Sequence, residues 1–202
     1  MDSADNSAPE PRYVAPTVDQ ALKILVVGAF GVGKTTLVGS VSEISPLRTE
    51  ETITQASTGV DDLSGLEEKT STTVAMDFGR ITLNSRMVLY LFGTPGQRRF
   101  WDLWEGLVIG AIGLLVLVDT RRLEDSFEIL DQLDLRGLPF AVAINHFPDS
   151  VGYDDADLRE ALDLLPETPM IHLDARSHAS STQALIALVE YAARLKAQEK
   201  VA

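Results

Sequence analysis

The stretch LKILVVGAFGVGKTTLVGS, residues 22–40, decides the fold. Its first part is apolar, of strand length, and runs straight into Gly28. Five residues later come Gly33, Lys34, Thr35 and Thr36, followed by Leu37 and Val38 at the start of a helical pattern. Gly28–Thr35 fits G-x-x-x-x-G-K-[ST], with Ala29, Phe30, Gly31 and Val32 in the variable positions. Glycines let successive backbone N–H groups curl round a phosphate without side-chain collision. The helix that starts there turns its positive end to the anion. At this spacing Lys34 reaches the β- and γ-phosphates, and the Thr35 hydroxyl is a Mg²⁺ ligand. A plain glycine turn is the competing reading; the strand before and the helix after decide against it.

Working outward, apolar runs of strand length alternate with amphipathic stretches. The runs are 22–28, 74–83, 87–92, 113–119, 139–145 and 170–175. Helices are expected near 34–42, 98–109, 122–134, 154–165 and 179–197; in the last, Leu185, Leu188, Val189, Ala192 and Leu195 recur at helical spacing. Continuous apolar strands separated by helices predict a mainly parallel sheet covered on both faces, three layers of α/β structure. The link LNSRM, 83–87, is too short for a crossover, so the second and third strands form an antiparallel hairpin. The expectation is six strands in a mixed sheet with one antiparallel strand and about five helices. Residues 43–72 carry no convincing pattern, and a stretch of that length inside a domain is often functional. Residues 1–20, with three prolines and many small polar residues, read as a disordered tail before a domain at 21–202.

The bulk numbers narrow the partners. The 202 residues are 45% hydrophobic, enough for a full core, and carry a formal charge of −13. So acidic a surface repels phosphate backbones, which disfavours nucleic acid and anionic membrane. The chain has no cysteine, which excludes disulfides, thiolate metal sites and cysteine nucleophiles. The N-terminus lacks the basic start and apolar core of a secretory leader. The longest apolar run, 107–118, is too short to span a bilayer. These features lead to the expectation of a cytoplasmic protein.

Three further segments place polar residues after strands: LFGTPGQRRFW (91–101), AVAINHFPD (141–149) and LDARSH (173–178). His172 and His178 read as surface or packing residues rather than ligands. With the phosphate loop, these segments resemble the Ras-like small GTPase superfamily. The resemblance covers residues 22 to about 197. It is closest to the bacterial MglA-like branch, and within it to the actinobacterial conservon GTPases, through TTVAMDFGRI (72–81), LFGTPGQRRFW, LLVLVDTRR (114–122) and DAR (174–176).

The resemblance implies a P-loop NTPase fold of Rossmann-like type, GTP or GDP with Mg²⁺ as ligand, and a nucleotide-driven switch. Gly96 takes the place of the glycine that senses a γ-phosphate, and Gln97 that of the water-positioning glutamine. The aspartate of that motif is replaced by Gly93; Asp77 and Asp119 are both candidates to supply the missing acid. Residues 43–73 occupy the place of switch I, with Thr73 favoured over Thr72 as its metal-binding threonine; residues 93–106 occupy switch II. In the base site Asn145 matches, His146 replaces a lysine, and the guanine-reading aspartate falls on Pro148 with Asp149 one residue late. Asp174, Ala175 and Arg176 take the third base loop, where the Ala175 N–H donates to the guanine carbonyl. Missing contacts in a buried base site are costly, and this set favours guanine over adenine.

No arginine precedes the switch I threonine, and Arg98 and Arg99 are the candidates to replace it. Without such an arginine, hydrolysis is expected to be slow, on the order of 10⁻⁴ s⁻¹. Implied partners are a Roadblock/LC7 protein, a DUF742 protein and a pentapeptide-repeat effector, with recruitment to a membrane through them. Phe100, Trp101 and Trp104 mark the expected partner surface, since large aromatics dominate interface energetics. Two rival classes remain: a nucleotide-binding scaffold without hydrolysis, and an ATP-dependent P-loop ATPase.

Overall fold

The strand β1 (Gln20–Gly28) runs through the middle of the sheet, hydrogen-bonded in parallel to β4 (Met87–Gly93) on one side and β5 (Gly113–Val118) on the other. The computed structural model describes residues 14–45, 47–54, 71–96, 106–134 and 137–199, with backbone alone at 47–54, 71–75, 134 and 199. Beyond β5 lie β6 (Phe140–Asn145) and β7 (Met170–Leu173), both parallel. Beyond β4 lie β3 (Ser71–Asn84) and β2 (Leu47–Thr54). The sheet order is β2-β3-β4-β1-β5-β6-β7.

All six expected strands are present, and among the described residues β3 is the one strand that runs against the rest, antiparallel to both neighbours. The sheet has a seventh strand, β2, inside the stretch that the sequence left without a pattern. Its sequence LRTEETIT is charged and β-branched rather than apolar, which suits an edge that carries polar side chains instead of a doubly buried interior.

The six residues of β5 are all buried, as are Ile24–Gly28 of β1. Side chains alternate between two cores. Ile24, Val26, Leu115 and Leu117 pack with Leu37 and Val38 of α1 (Lys34–Val41). On that face lie also Leu185 and Leu188 of the long helix His178–Glu199. Leu25, Val27, Leu114 and Val116 face the other way, onto α2 (Phe127–Asp134) through Ile129, Leu130 and Leu133, and onto α3 (Asp155–Ala161) through Leu158. The helix at 178–199 is thus α4. Burying each such side chain is worth about 1.5–3 kcal/mol, which is why these strands must read as unbroken apolar runs. A 3₁₀ segment, Thr120–Ser126, precedes α2. Of the helix expected near 98–109, the last turn, 106–108, is described and is helical.

Residues 14–20 of the expected tail belong to the described structure. The Asp19 and Gln20 amides donate to the Arg86 carbonyl at 3.0 Å, and Asp19 pairs with the Arg86 guanidinium. Residues 1–13 lie outside the described residues. No helix among the described residues is long and apolar enough to cross a membrane.

Candidate functional site

The parallel strands β1, β4, β5, β6 and β7 end on one edge of the sheet, and the loops that leave them converge there. This is where open α/β sheets place ligands. The loop after β1 is closed by its own lysine: Lys34 Nζ donates to the Gly28 and Ala29 carbonyls at 2.8 and 2.7 Å. The side chain is buried, and burial pushes its pKa down to about 8, with the Asp77 carboxylate pulling the other way. An ammonium held among carbonyls inside a loop of backbone amides is poised for a phosphate oxygen.

The Thr35 hydroxyl donates to Asp77 Oδ2 at 2.5 Å. Asp77 stands on β3, in register with Gly93 on β4. A Cβ at 93 would lie 3.0 Å from the Asp77 Cβ and 3.1 Å from its Oδ2. The carboxylate missing from β4 therefore has a counterpart on the neighbouring strand, in the space the glycine leaves open. Asp119, the other candidate acid, is committed elsewhere. It accepts from the Arg121 amide at 3.0 Å and from the Arg121 guanidinium at 2.8 Å, which hold its carboxyl below the usual range against the effect of burial.

After β4, the Thr94 amide donates to the Val26 carbonyl at 2.9 Å and pins the chain beside β1. Gly96 is thereby laid against the phosphate loop: a Cβ there would sit 2.7 Å from Lys34 Nζ and from the backbone of Ala29 and Phe30. Gln97, Arg98, Arg99, Phe100, Trp101 and Trp104 lie outside the described residues.

Asn145, buried at the end of β6, ties the site together. Its Nδ2 donates to the Val32 carbonyl and its Oδ1 accepts from the Ala175 amide, both at 2.9 Å. The close approach requires Gly33, whose φ is +107° and where a Cβ would fall 2.5 Å from Asn145 Nδ2. The Ala175 N–H, expected to serve a guanine carbonyl, is engaged by Asn145 instead; the short path from β6 to the phosphate loop brings the amide oxygen onto it.

The residues after Asn145 form a tight turn. The Phe147 amide donates to Ser150 Oγ at 2.8 Å and the Ser150 amide to the Phe147 carbonyl at 3.0 Å. Asp149 is exposed in that turn, and its charge acts on Arg121, whose guanidinium lies 3.9 Å over the Phe147 ring. His146 is exposed beside Asp174. Arg176 grips Asp174 through two side-chain bonds of 2.8 and 2.7 Å, holding that carboxyl down at about 2. Thr36 is exposed next to Thr35.

Thr73, expected as the metal-binding threonine of switch I, lies four residues before Asp77 on β3, about 13 Å along an extended strand, and its backbone pairs with Thr52 of β2. The Thr35 hydroxyl meets Asp77. Arg122, given no role by the motifs above, donates from Nη2 to the Phe30 carbonyl at 2.9 Å. An arginine in a turn has no periodic signal that could have singled it out.

The architecture is that of a G domain. The G domain of the Thermotoga maritima FeoB iron transporter superposes with a TM-score of 0.59 over 86% of this chain and 99% of its own, at 17% identity. The FeoB G domain of Methanococcus jannaschii gives 0.57 over 86% and 98%, at 15% identity. The T. maritima FeoB cytosolic domain in its GMPPNP form gives 0.60, this chain spanning 64% of it at 16% identity. An uncharacterized protein of Methanocaldococcus jannaschii is 29% identical over 126 residues, 61% of this chain and 69% of that protein. At these identities the solved structures establish the fold. A phosphate loop on that fold makes this a nucleotide-binding protein of P-loop type, and, with its family model matching residues 26–195, the chain belongs to the conserved hypothetical ATP binding proteins.

Proposed function

We propose that this protein is a GTP-binding switch that hydrolyses GTP to GDP and phosphate and signals through nucleotide-dependent partner binding. The observation that carries the reading is the joint placement of Lys34, the Thr35–Asp77 pair and Gly96 around one point beside the phosphate loop. Mg²⁺ fits this donor set. The pair offers oxygen only, one hydroxyl and one carboxylate, and Mg²⁺ takes few protein ligands when phosphates and waters fill its shell. Bound there, the ion would neutralise charge on the β- and γ-phosphates. Lys34 and the loop amides would add to that neutralisation, and Gln97 would orient the attacking water.

The switch needs a moving part. Thr73 would reach the metal only if the β2–β3 ladder around Thr52 rearranged, so engagement of a triphosphate would be felt along residues 43–73. Without an arginine at the terminal phosphate, turnover by the protein alone is expected to be slow. The Roadblock/LC7, DUF742 and pentapeptide-repeat partners, the aromatic surface at Phe100, Trp101 and Trp104, and a cytoplasmic site of action with membrane recruitment remain part of this reading through the resemblance alone.

One observation favours a second reading, an ATP-dependent P-loop protein: Pro148 offers no carboxylate and the Ala175 N–H is engaged by Asn145, so guanine loses two of its usual marks. The test is the nucleotide released from freshly purified protein on denaturation, followed by affinities for GTP, GDP and ATP with and without Mg²⁺. A strong guanine preference supports the switch. Adenine nucleotide, or equal affinities, transfers the reading to ATP.

A further inference from the structure

The adjacent arginines after β5 point in different directions. Arg121 turns to Asp119 and Phe147, on the base side of the site. Arg122 turns to the phosphate loop. Its Nη2 donates to the Phe30 carbonyl at 2.9 Å and lies 3.6 Å from where a Cβ on Gly31 would be, an ordinary van der Waals contact. The backbone at Arg122 leaves the helical region (φ −145°, ψ 57°), a break within the 3₁₀ segment at this residue. Arg122 and Gly96 line one cleft of about 500 Å³, together with Ala29, Phe30 and Phe127. Gly96 and Lys34 mark where the terminal phosphate belongs, so Arg122 stands on the rim of that position.

Its present partners can let it go. The ion pairs to Asp119 and Asp125 are long, 3.9 and 3.5 Å, and the side chain is 45% exposed. The pair with Asp125, exposed on both sides, is worth at most about 1 kcal/mol, and the buried Asp119 carboxylate keeps its closer partner Arg121 at 2.8 Å; a guanidinium gains more at a multiply charged phosphate in a partly desolvated cleft. Phe30 is 70% exposed on the same rim.

We propose that Arg122 is the arginine that serves the terminal phosphate in cis: it exchanges the Phe30 carbonyl for oxygens of the γ-phosphate and stabilises charge during hydrolysis. The proposal rests on the nucleotide reading above and fills the place for which the sequence offered only Arg98 and Arg99. In the step it assists, a water oxygen bonds to the γ-phosphorus and the bond to the β–γ bridging oxygen breaks. The electron pair leaves with the diphosphate, and the water protons end on inorganic phosphate and solvent. Arg122 stays protonated throughout and contributes only hydrogen bonds and charge.

The test is single-turnover hydrolysis of GTP·Mg²⁺ and of ATP·Mg²⁺ by the full chain and by Arg122→Ala and Arg122→Lys, with diphosphate affinity measured in parallel. The expected result is a rate at saturating nucleotide at least tenfold lower in both variants, with diphosphate affinity within threefold of the parent. An arginine supplied in cis separates intrinsic rates of roughly 10⁻² and 4 × 10⁻⁴ s⁻¹ in G proteins. The parent alone should also trap the diphosphate with aluminium fluoride. A merely structural arginine would move affinity and melting temperature and leave the saturated rate alone. Intact binding with an unchanged rate, a full rescue by lysine, or a parent that binds but does not hydrolyse overturns the assignment of Arg122 by itself. Absence of binding to either nucleotide overturns the nucleotide reading, and this one with it.

Discussion

Asp77 on β3 and Gly93 on β4 face each other across an antiparallel register, and the carboxylate of the first fills the space beside the second, 3.1 Å from where a Cβ at 93 would stand. The pair amounts to one acid moved sideways by one strand. With Thr35 bonded to it, Asp77 is positioned to hold a divalent cation or its water shell.

Asp77→Asn keeps the shape and removes the charge. Its expected effect is a loss of Mg²⁺-dependent triphosphate affinity of about 10- to 100-fold, the usual scale for residues that orient a metal site, with Mg²⁺-independent binding little altered. Gly93→Asp alone sets two carboxylates within contact distance and should lower both the melting temperature and Mg²⁺ affinity. Combined with Asp77→Gly, it should recover part of the affinity. Titration of Mg²⁺ at fixed nucleotide checks all three; equal Mg²⁺ dependence in parent and Asp77→Asn excludes the role.

Asn145 joins the phosphate loop to the β7–α4 loop before any nucleotide arrives. Asn145→Ala leaves the Val32 carbonyl and the Ala175 amide without their partner in a buried place. Each unsatisfied group costs about 1–3 kcal/mol. The nucleotide-free protein should therefore lose roughly 2–6 kcal/mol of stability, read as a lower denaturant midpoint at an unchanged slope. If the residue only contacted a base, the nucleotide-free variant would unfold with the parent, and that result would count against the bridging role.

Much of this was legible in the sequence, for physical reasons. Strands buried on both faces have no choice but to be apolar, so β1, β5 and β6 announce themselves; the phosphate loop does so because backbone approach demands glycine and charge demands lysine at fixed offsets. The edge strand β2 was not legible, since its Arg48, Glu50 and Glu51 suit a solvent edge and read like a loop. Nor was the Asn145–Ala175 bond, which depends on how close two loops come rather than on either sequence. The sequence named Asp77 and Asp119 as equal candidates; only the register of β3 against β4, and the grip of Arg121 on Asp119, separates them.

Lys34 sets a pH limit on nucleotide binding. In the free protein burial brings its pKa to about 8. A phosphate beside it favours the charged form, so its pKa rises on binding and binding takes up a proton between the two values. Below about pH 8 the lysine is charged in both states and affinity is flat in this respect. Above it, affinity should fall by up to tenfold per pH unit until the bound-state pKa is reached. Calorimetry at pH 8.5 in two buffers of different ionisation enthalpy should reveal the proton taken up. Lys34→Met should bind more weakly and lose the dependence; a parent whose affinity is constant to pH 9.5 contradicts it.

Gly96 separates recognition of the terminal phosphate from recognition of the rest. In Gly96→Ala the added methyl would meet Lys34 Nζ and the backbone of Ala29 and Phe30 at 2.7 Å. The backbone cannot yield as a side-chain tip can, so the segment after Thr94 must lift away from the loop. The phosphate loop itself keeps its closure through Asn145 and Gly33. Diphosphate affinity should therefore stay within about threefold, while triphosphate affinity drops roughly tenfold, about 1.4 kcal/mol. Competition binding with a diphosphate and a non-hydrolysable triphosphate measures both. Equal losses for the two ligands would mean that the methyl distorts the loop as a whole, and an unchanged ratio would remove Gly96 from the terminal-phosphate contact.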